Sequence, residues 1–142
     1  MMVLCGLAVT PAHAFEGATT AGGWQVGPVN ATDCTARKAG GEVNSTVSFN
    51  HAHQMVLTVA RPEWRWPPMH RDARLSIDAA KPQDIEVEAV FTLVLFKVTD
   101  AVMAARLRQA KSLQWDLPWG KYTANVAGMD RALDVLAQCT VP

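Results

Sequence analysis

Apolar and polar residues alternate along much of this chain, and short runs of turn-forming residues separate the alternating segments. Successive side chains of a strand point to opposite faces of a sheet, so this period of two predicts antiparallel strands with one buried face. The alternation starts at Trp24. The segments that show it are residues 24–26, 34–38, 43–49, 55–59, 73–77, 84–98, 113–117 and 122–126.

The longest alternating segment is DIEVEAVFTLVLFKV, residues 84–98. One side of it is apolar throughout: Ile85, Val87, Ala89, Phe91, Leu93 and Leu95. The other side begins with two glutamates and becomes apolar from Val90 onward. This pattern predicts one long strand whose second half is covered on both faces, the outer one by helices.

Two segments show the period of amphipathic helices. The first covers residues 100–111, where Thr99 is a suitable N-cap and Asp100 suits the positive end of the helix dipole. The second covers residues 129–139. Its apolar stripe consists of Ala132, Val135, Leu136 and Cys139. Strands and helices together predict a single α+β domain over residues 24–142, with an antiparallel sheet or sandwich of about seven strands and two covering helices, one at the C-terminus.

The N-terminal segment MMVLCGLAVTPAHA has no Lys, Arg, Asp or Glu, is apolar over residues 2–9, and ends in Ala-His-Ala. This pattern predicts a signal peptide over residues 1–14, followed by a flexible, glycine-rich lead-in over residues 15–23. The alternative is a buried first strand. The apolar run is too short to cross a bilayer, so no stable membrane span is expected. The protein is therefore predicted to be periplasmic or secreted.

The composition fits one soluble domain without a general affinity for polyanions. The chain has 142 residues, and 13 basic side chains balance 13 acidic ones at a pI near 6.9. A neutral chain lacks the broad electrostatic attraction that nucleic acid or an anionic membrane surface requires, so neither is an expected partner. Binding is instead expected at a local surface. The residues do not indicate an oligomeric state.

The cysteines indicate an oxidising compartment. If Cys5 leaves with the signal peptide, Cys34 and Cys139 remain. An even pair in an exported protein predicts one disulfide, which would join the C-terminal helix to the N-terminal strands. The alternative is a pair of buried free thiols. No CxxC or Cys/His spacing suggests zinc or redox catalysis.

One group of residues could bind a metal ion. His51 and His53 lie two positions apart, and Met69 and His70 follow later in the chain. Imidazole and thioether ligands suit copper, so a periplasmic copper-binding protein is the alternative function. The competing interpretation is that both histidines lie in a solvated turn. Met55, which follows His53 by two positions and could be a further ligand, would then continue a buried strand face. The leading prediction has no cofactor.

The segment RPEWRWPPMHRD concentrates aromatic and basic side chains. On an extended backbone Trp64 and Trp66 would point the same way, and such a pair can stack on a sugar, a proline or an aromatic ligand. Arg61, Arg65 and Arg71 could bind acidic groups beside it. The alternative is that both indoles cover an open end of the sheet, with arginine stems lying over them.

The sequence contains no motif of a known enzyme class. Gly-x-Ser-x-Gly, a phosphate-binding glycine loop and His-Glu-x-x-His are all missing. Asp84, Glu86 and Glu88 alternate along a predicted strand, which is how solvent-facing carboxylates protect a sheet edge. The protein is therefore expected not to be an enzyme, and a small hydrolase lacks a nucleophile and base.

Several of these features form a recognisable combination: Trp-Gln-Val at 24–26, Cys34 about ten residues later, Ala-Arg-Leu-Ser-Ile-Asp at 73–78, and a closing helix ALDVLAQC at 132–139. This combination resembles small exported proteobacterial proteins of the invasion-associated locus B type and the similar envelope proteins associated with type VI secretion. The resemblance covers most of the chain after the signal peptide. It implies a compact, β-rich envelope protein with no known catalytic residues, acting in envelope integrity or host contact with an envelope or host protein partner. The predicted function is a non-catalytic envelope protein that binds a protein or cell-wall partner through the tryptophan–arginine segment.

Overall fold

The structure is a computed structural model that describes residues 19–30 and 33–139. The strands are β1 (Thr19–Ala21), β2 (Trp24–Pro28), β3 (Cys34–Lys38), β4 (Asn44–Phe49), β5 (Met55–Ala60), β6 (Trp66–Ile77), β7 (Gln83–Phe91), β8 (Leu93–Val98), β9 (Ser112–Leu117) and β10 (Gly120–Asn125). The helices are α1 (Ala101–Arg108) and α2 (Met129–Cys139). The predicted signal peptide, residues 1–14, lies outside the described residues, and β1 lies within the segment predicted to be a flexible lead-in.

The ten strands form one sheet in the order β1-β2-β3-β4-β5-β8-β7-β6-β9-β10, and all neighbouring pairs are antiparallel. The sheet curls until its last strand reaches the loop that precedes β4. There Gly41 and Ala124 form an isolated bridge. The N–H of Glu42 also donates to the carbonyl oxygen of Thr123 at 2.7 Å. The curled sheet therefore encloses its apolar face.

The core lies between this inner face and α2. Trp24 on β2 and Trp115 on β9 are fully buried in it. Helix α2 packs against β1, β2 and β3 through Met129, Ala132, Leu133 and Leu136. Arg108 of α1 donates to the carboxylates of Asp130 at 2.9 Å and Asp134 at 2.6 Å, which links the two helices. Neither helix in the described part of the chain has the length and apolar character needed to cross a membrane.

The predicted fold class, an α+β domain of about seven strands, is wrong. The described residues form ten strands, and the two helices contain only 8 and 11 residues. One additional strand is β1, which pairs with β2 although its sequence is small and polar. Helix α1 is also shorter than the predicted segment 100–111, and its cap is Asp100, whose side chain accepts from the N–H of Val102 at 2.9 Å, instead of Thr99.

The long strand predicted over residues 84–98 is in fact a hairpin of β7 and β8. The chain reverses at Phe91, which adopts a left-handed conformation with φ of 57°. The reversal changes which residues face inward: Val94 and Phe96 are buried, whereas Leu93 is 37% exposed. The helical cover expected on the outer face is therefore not needed there.

Strand β6 starts much earlier than the predicted segment 73–77. It runs through Pro67 and Pro68, which lack the N–H that a strand with partners on both sides would donate. In this first half β6 pairs only with β7, with an irregularity in register between Trp66 and Met69, and it pairs with β9 only from Arg74 onward. The prolines are compatible with the strand because one of its edges has no partner strand there among the described residues.

The predicted disulfide between Cys34 and Cys139 is confirmed. The two Cα atoms lie 6.1 Å apart, and the bond joins residues 105 positions apart in the chain. It connects the beginning of β3 to the end of α2, so the last helix is covalently attached to the strands that it covers.

The turn between β6 and β7 makes the stability of the fold sensitive to acid. The Asp78 carboxylate accepts backbone N–H groups of Lys111 and Ser112, both at 2.9 Å. These bonds, that of Ser112 foremost, lower the pKa of Asp78 from its ordinary value of 3.8. The carboxylate therefore stabilises the fold above its unfolded pKa, and this contribution is lost as the pH falls through the lower folded pKa.

We expect Asp78→Asn to unfold with a weaker dependence on acid than the wild type. Asparagine tolerates the left-handed conformation of this position, where φ is 52°, but it carries no titrating charge. Urea unfolding at several pH values between about 5 and 2 measures the difference. Identical acid dependence in the two proteins would show that the charge of Asp78 does not contribute to the acid sensitivity.

Candidate binding site: an aromatic groove

Four aromatic side chains meet at one end of the curled sheet. Trp64 and Trp66 come from the connection between β5 and β6 and from the start of β6. Trp119 comes from the turn between β9 and β10, and Tyr122 from β10 itself. With charged residues on the rim they line an open cavity of about 460 Å³, here called the aromatic groove. Its lining residues are Arg61, Glu63, Trp64, Arg65, Trp66, Trp119 and Tyr122.

The rings of the groove hold one another in defined orientations. Trp64 packs edge-on against Trp119, with centroids 5.9 Å apart, and against Tyr122, with centroids 5.2 Å apart, both at 80°. Trp66 lies closer to Trp119, at 4.3 Å with the planes inclined by 33°. Edge-to-face and offset contacts of this kind stabilise aromatic pairs beyond the area they bury. The groove is thus a preformed surface.

The two tryptophans predicted as a pair have different environments. Trp64 is 4% exposed and belongs to the core, which fits the interpretation that indoles cover the end of the sheet. Trp66 is only partly buried, as are Trp119 and Tyr122. The partly exposed rings face the groove, so Trp66, Trp119 and Tyr122 are the aromatic groups that a ligand could contact.

The arginines of the segment are fixed by aromatic rings and backbone carbonyls. The guanidinium of Arg61 lies 5.2 Å from the centre of the Tyr122 ring and forms an ion pair with Glu63. Arg65 lies 5.0 Å from the centre of the Phe91 ring and donates to the carbonyl oxygen of Trp64 at 2.6 Å. These contacts orient both charged groups at the rim of the groove.

Arg71, the third predicted arginine, does not line the groove. It lies on the exposed first half of β6, and its guanidinium donates to the carbonyl oxygen of His70 at 3.1 Å. The structure therefore brings together four of the five predicted contact residues.

Three aromatic residues of this region were missed by sequence reasoning. Trp119 lies between two predicted strands and Tyr122 begins the second of them, and no local signal connects them with Trp66 more than fifty residues earlier. Phe91 was placed on a buried face, but it is 59% exposed and supports Arg65. A bulky residue with positive φ is uncommon, and such conformations cluster at functional sites.

Two indole N–H groups of the groove have no hydrogen-bond acceptor among the described residues. They are Nε1 of Trp66 and Nε1 of Trp119. The contrast is Trp24, whose Nε1 donates to the carbonyl oxygen of Ala127 at 3.0 Å. A covered donor without an acceptor carries an uncompensated desolvation penalty, and because both nitrogens are covered, a ligand oxygen relieves it only by entering between the rings.

The predicted copper ligands are not brought together. His51 and His53 lie in the exposed turn between β4 and β5, whereas Met69 and His70 lie on β6. Strands β8 and β7 separate β5 from β6, which corresponds to roughly 14 Å across a sheet, far beyond a metal–ligand bond. Within residues 19–30 and 33–139, no group of three or more His, Cys, Asp or Glu side chains could hold a metal ion.

Comparison with known proteins supports the fold. No family model and no curated protein matches the sequence. Among solved structures, invasion associated protein B from Bartonella henselae is similar, with a TM-score of 0.64 and 20% identity over 85% of this chain and 96% of that one. At this level of identity the likeness establishes a shared fold. The predicted resemblance to the invasion-associated locus B type is thereby confirmed for the fold, and the resemblance to type VI secretion-associated proteins stays a prediction.

Proposed function

We propose that this chain is an exported, non-catalytic bacterial envelope protein that binds a protein partner through the aromatic groove. The observation that carries the proposal is the combination of partly exposed Trp66 and Trp119 with two fixed guanidinium groups. Tryptophan, tyrosine and arginine are the residues that contribute most to protein–protein binding, especially when they are clustered and preorganised.

The chemistry of the groove is suited to binding. It offers rings, two guanidinium groups and a single carboxylate, Glu63, which is already paired with Arg61. These groups do not form a nucleophile with an adjacent base, so a non-catalytic role is proposed. Invasion associated protein B from Bartonella henselae shares this fold, and a role in envelope or host contact is part of the proposal.

Export is supported by two features. A disulfide such as Cys34–Cys139 persists in oxidising compartments, including the periplasm and the cell exterior. The apolar segment at residues 1–14, with its small-x-small end, has the pattern of a secretory signal. A periplasmic or secreted location is therefore proposed.

Site-specific photocrosslinking in intact producing cells tests the groove. A photoreactive phenylalanine analogue at Glu63, on the rim, is expected to capture a distinct protein, whereas the same analogue at Gln114, on the exposed outer face of β9, is not. Adding Trp66→Ala should reduce the cross-link by about tenfold or more, as truncating a central aromatic contact does. Mass spectrometry of the adduct identifies the captured protein.

Two outcomes would contradict this proposal. One is a cross-link at Glu63 that Trp66→Ala leaves unchanged although the variant unfolds at the wild-type temperature. The other is co-sedimentation of the protein with purified cell-wall sacculi that depends on Trp66, with no protein adduct, which would assign the groove to a cell-wall polymer.

A further inference from the structure

The aromatic groove is rich in hydrogen-bond donors and poor in acceptors. Its donors are the guanidinium groups of Arg61 and Arg65 at the rim and, covered by the rings, Nε1 of Trp66 and Nε1 of Trp119, which lack acceptors among the described residues. Its one carboxylate belongs to Glu63 and is paired with Arg61. A complementary ligand must therefore present acceptors and few donors of its own.

The surface between these donors is apolar and ridged. Trp66 and Trp119 are inclined by 33° to each other, and Tyr122 stands edge-on to Trp64 behind them. Flat rings at different angles accommodate stiff apolar groups that fit between them. A sugar also stacks on indoles, but each of its several hydroxyl groups is a donor that would need an acceptor, and the side chains of the groove offer only the Glu63 carboxylate and the Tyr122 hydroxyl.

Proline-rich peptides match both properties. A polyproline II segment has no internal hydrogen bonds and exposes its backbone carbonyl groups, while its proline residues carry no N–H. Its conformation is largely fixed before binding, so little entropy is lost when it enters an aromatic-lined groove. The apolar rings of the prolines would occupy the spaces between the indoles.

We propose that the aromatic groove binds a proline-rich segment of the partner in the polyproline II conformation. The proline rings pack on Trp66, Trp119 and Tyr122, and peptide carbonyl groups accept from the two indole N–H groups when they enter between the rings. Arg61 and Arg65 exceed the charge of Glu63 by one positive unit, 2 against 1, so acidic residues beside the prolines are favoured. This inference rests on the proposed function, because it specifies the ligand of the same site.

Titration of the full chain with synthetic peptides tests the inference. The first peptide contains ten prolines flanked by aspartates, and the second has the same length and charge with glycine and serine in place of proline. Tryptophan fluorescence is expected to report saturable binding of the proline peptide, at least about tenfold tighter than that of the glycine–serine peptide. Equal affinities for the two peptides would overturn the inference.

The indole donors are tested by substitutions that keep an aromatic ring. Trp66→Phe and Trp119→Phe each remove one N–H group and are expected to weaken proline-peptide binding by about three- to tenfold. The matched control is Trp24→Phe. Nε1 of Trp24 donates to the carbonyl oxygen of Ala127 and this indole does not line the groove, so the affinity of the folded variant should not change.

The results separate this inference from the proposed function. A protein cross-link at Glu63 that depends on Trp66, with an adduct peptide that contains no proline-rich run, would overturn the proline assignment and leave the proposed function in place. Trp66-dependent binding of a chitin-type oligosaccharide in place of the proline peptide would also overturn it. If the protein gave neither a Trp66-dependent cross-link nor binding of the proline peptide, both proposals would be wrong.

Discussion

Replacing both Cys34 and Cys139 with serine is expected to lower the free energy of unfolding by about 4 kcal/mol, a large part of the total stability of a small domain. The disulfide joins residues 105 positions apart, so it removes a large amount of conformational freedom from the unfolded chain. It also attaches the end of α2 to β3. Urea unfolding, followed by tryptophan fluorescence, measures the change.

Two controls isolate the contribution of the bond. Cys34 is 6% exposed, and serine there would bury a hydroxyl group, so the alanine pair Cys34→Ala/Cys139→Ala should be measured beside the serine pair. Wild-type protein in a strong reductant should unfold at nearly the same urea concentration as the alanine pair. An unchanged midpoint in both variants would mean that α2 is held by packing alone.

Most strand positions could be predicted because a sheet with one buried face requires apolar residues at alternate positions. Val47 lies between a threonine and a serine, Leu57 and Val59 lie on either side of a threonine, and these three apolar residues are fully buried. Helix α2 could also be predicted, because its apolar residues Ala132 and Leu136 follow the helical period and face the sheet. These elements are specified by local patterns that match the tertiary contacts they make.

The hairpin of β7 and β8 could not be predicted because its turn lacks the usual residues. Tight hairpin turns favour glycine, asparagine or aspartate, which adopt positive φ at little cost. Here Phe91 takes that conformation in the segment AVFTLVLF, residues 89–96, which contains no glycine, asparagine or aspartate. The chain must reverse because β8 lies between β5 and β7 in the sheet. No local sequence pattern indicates this pairing, because β5 and β8 are distant in the chain.

Strand β1 was missed for a related reason. Thr19–Ala21 is too short and too polar to show a strand pattern, and the glycines after it are typical of a flexible segment. It is a strand because Thr19 pairs with Val26 and because α2 packs against it. Long-range contacts thus override the local preference of this segment.

About half of the residues of the aromatic groove could be predicted from the sequence. Arg61, Trp64, Arg65 and Trp66 lie within six residues, so a local search finds them. The other wall of the groove comes from the β9–β10 hairpin, which reaches Trp66 only because β9 pairs with the second half of β6. The different burial of Trp64 and Trp66 could not be predicted either, because the two residues lie only two positions apart and an extended backbone would point them the same way.

Gly128→Ala is expected to lower the free energy of unfolding by about 3 kcal/mol or more. Gly128 has φ of 87°, a left-handed conformation that costs other residues about 1 to 2 kcal/mol. A Cβ atom at this position would also lie 1.8 Å from the carbonyl oxygen of Gly22, so the backbone must move, which adds about 1 to 3 kcal/mol. Thermal unfolding by circular dichroism should show a Tm lower by about 10 °C.

The matched control for this substitution is Gly23→Ala. Gly23 has nearly the same φ, 88°, but the nearest atom to its added Cβ is Nζ of Lys38, at 3.0 Å. This atom ends a long side chain, donates to the carbonyl oxygen of Ala127, and needs to shift by only a few tenths of an ångström. The conformational term dominates there, so the loss should be about 1 to 2 kcal/mol. The close approach of Gly22 and Gly128 places the start of α2 against the turn between β1 and β2. If the two variants lost similar amounts of unfolding free energy, this contact would not position the helix.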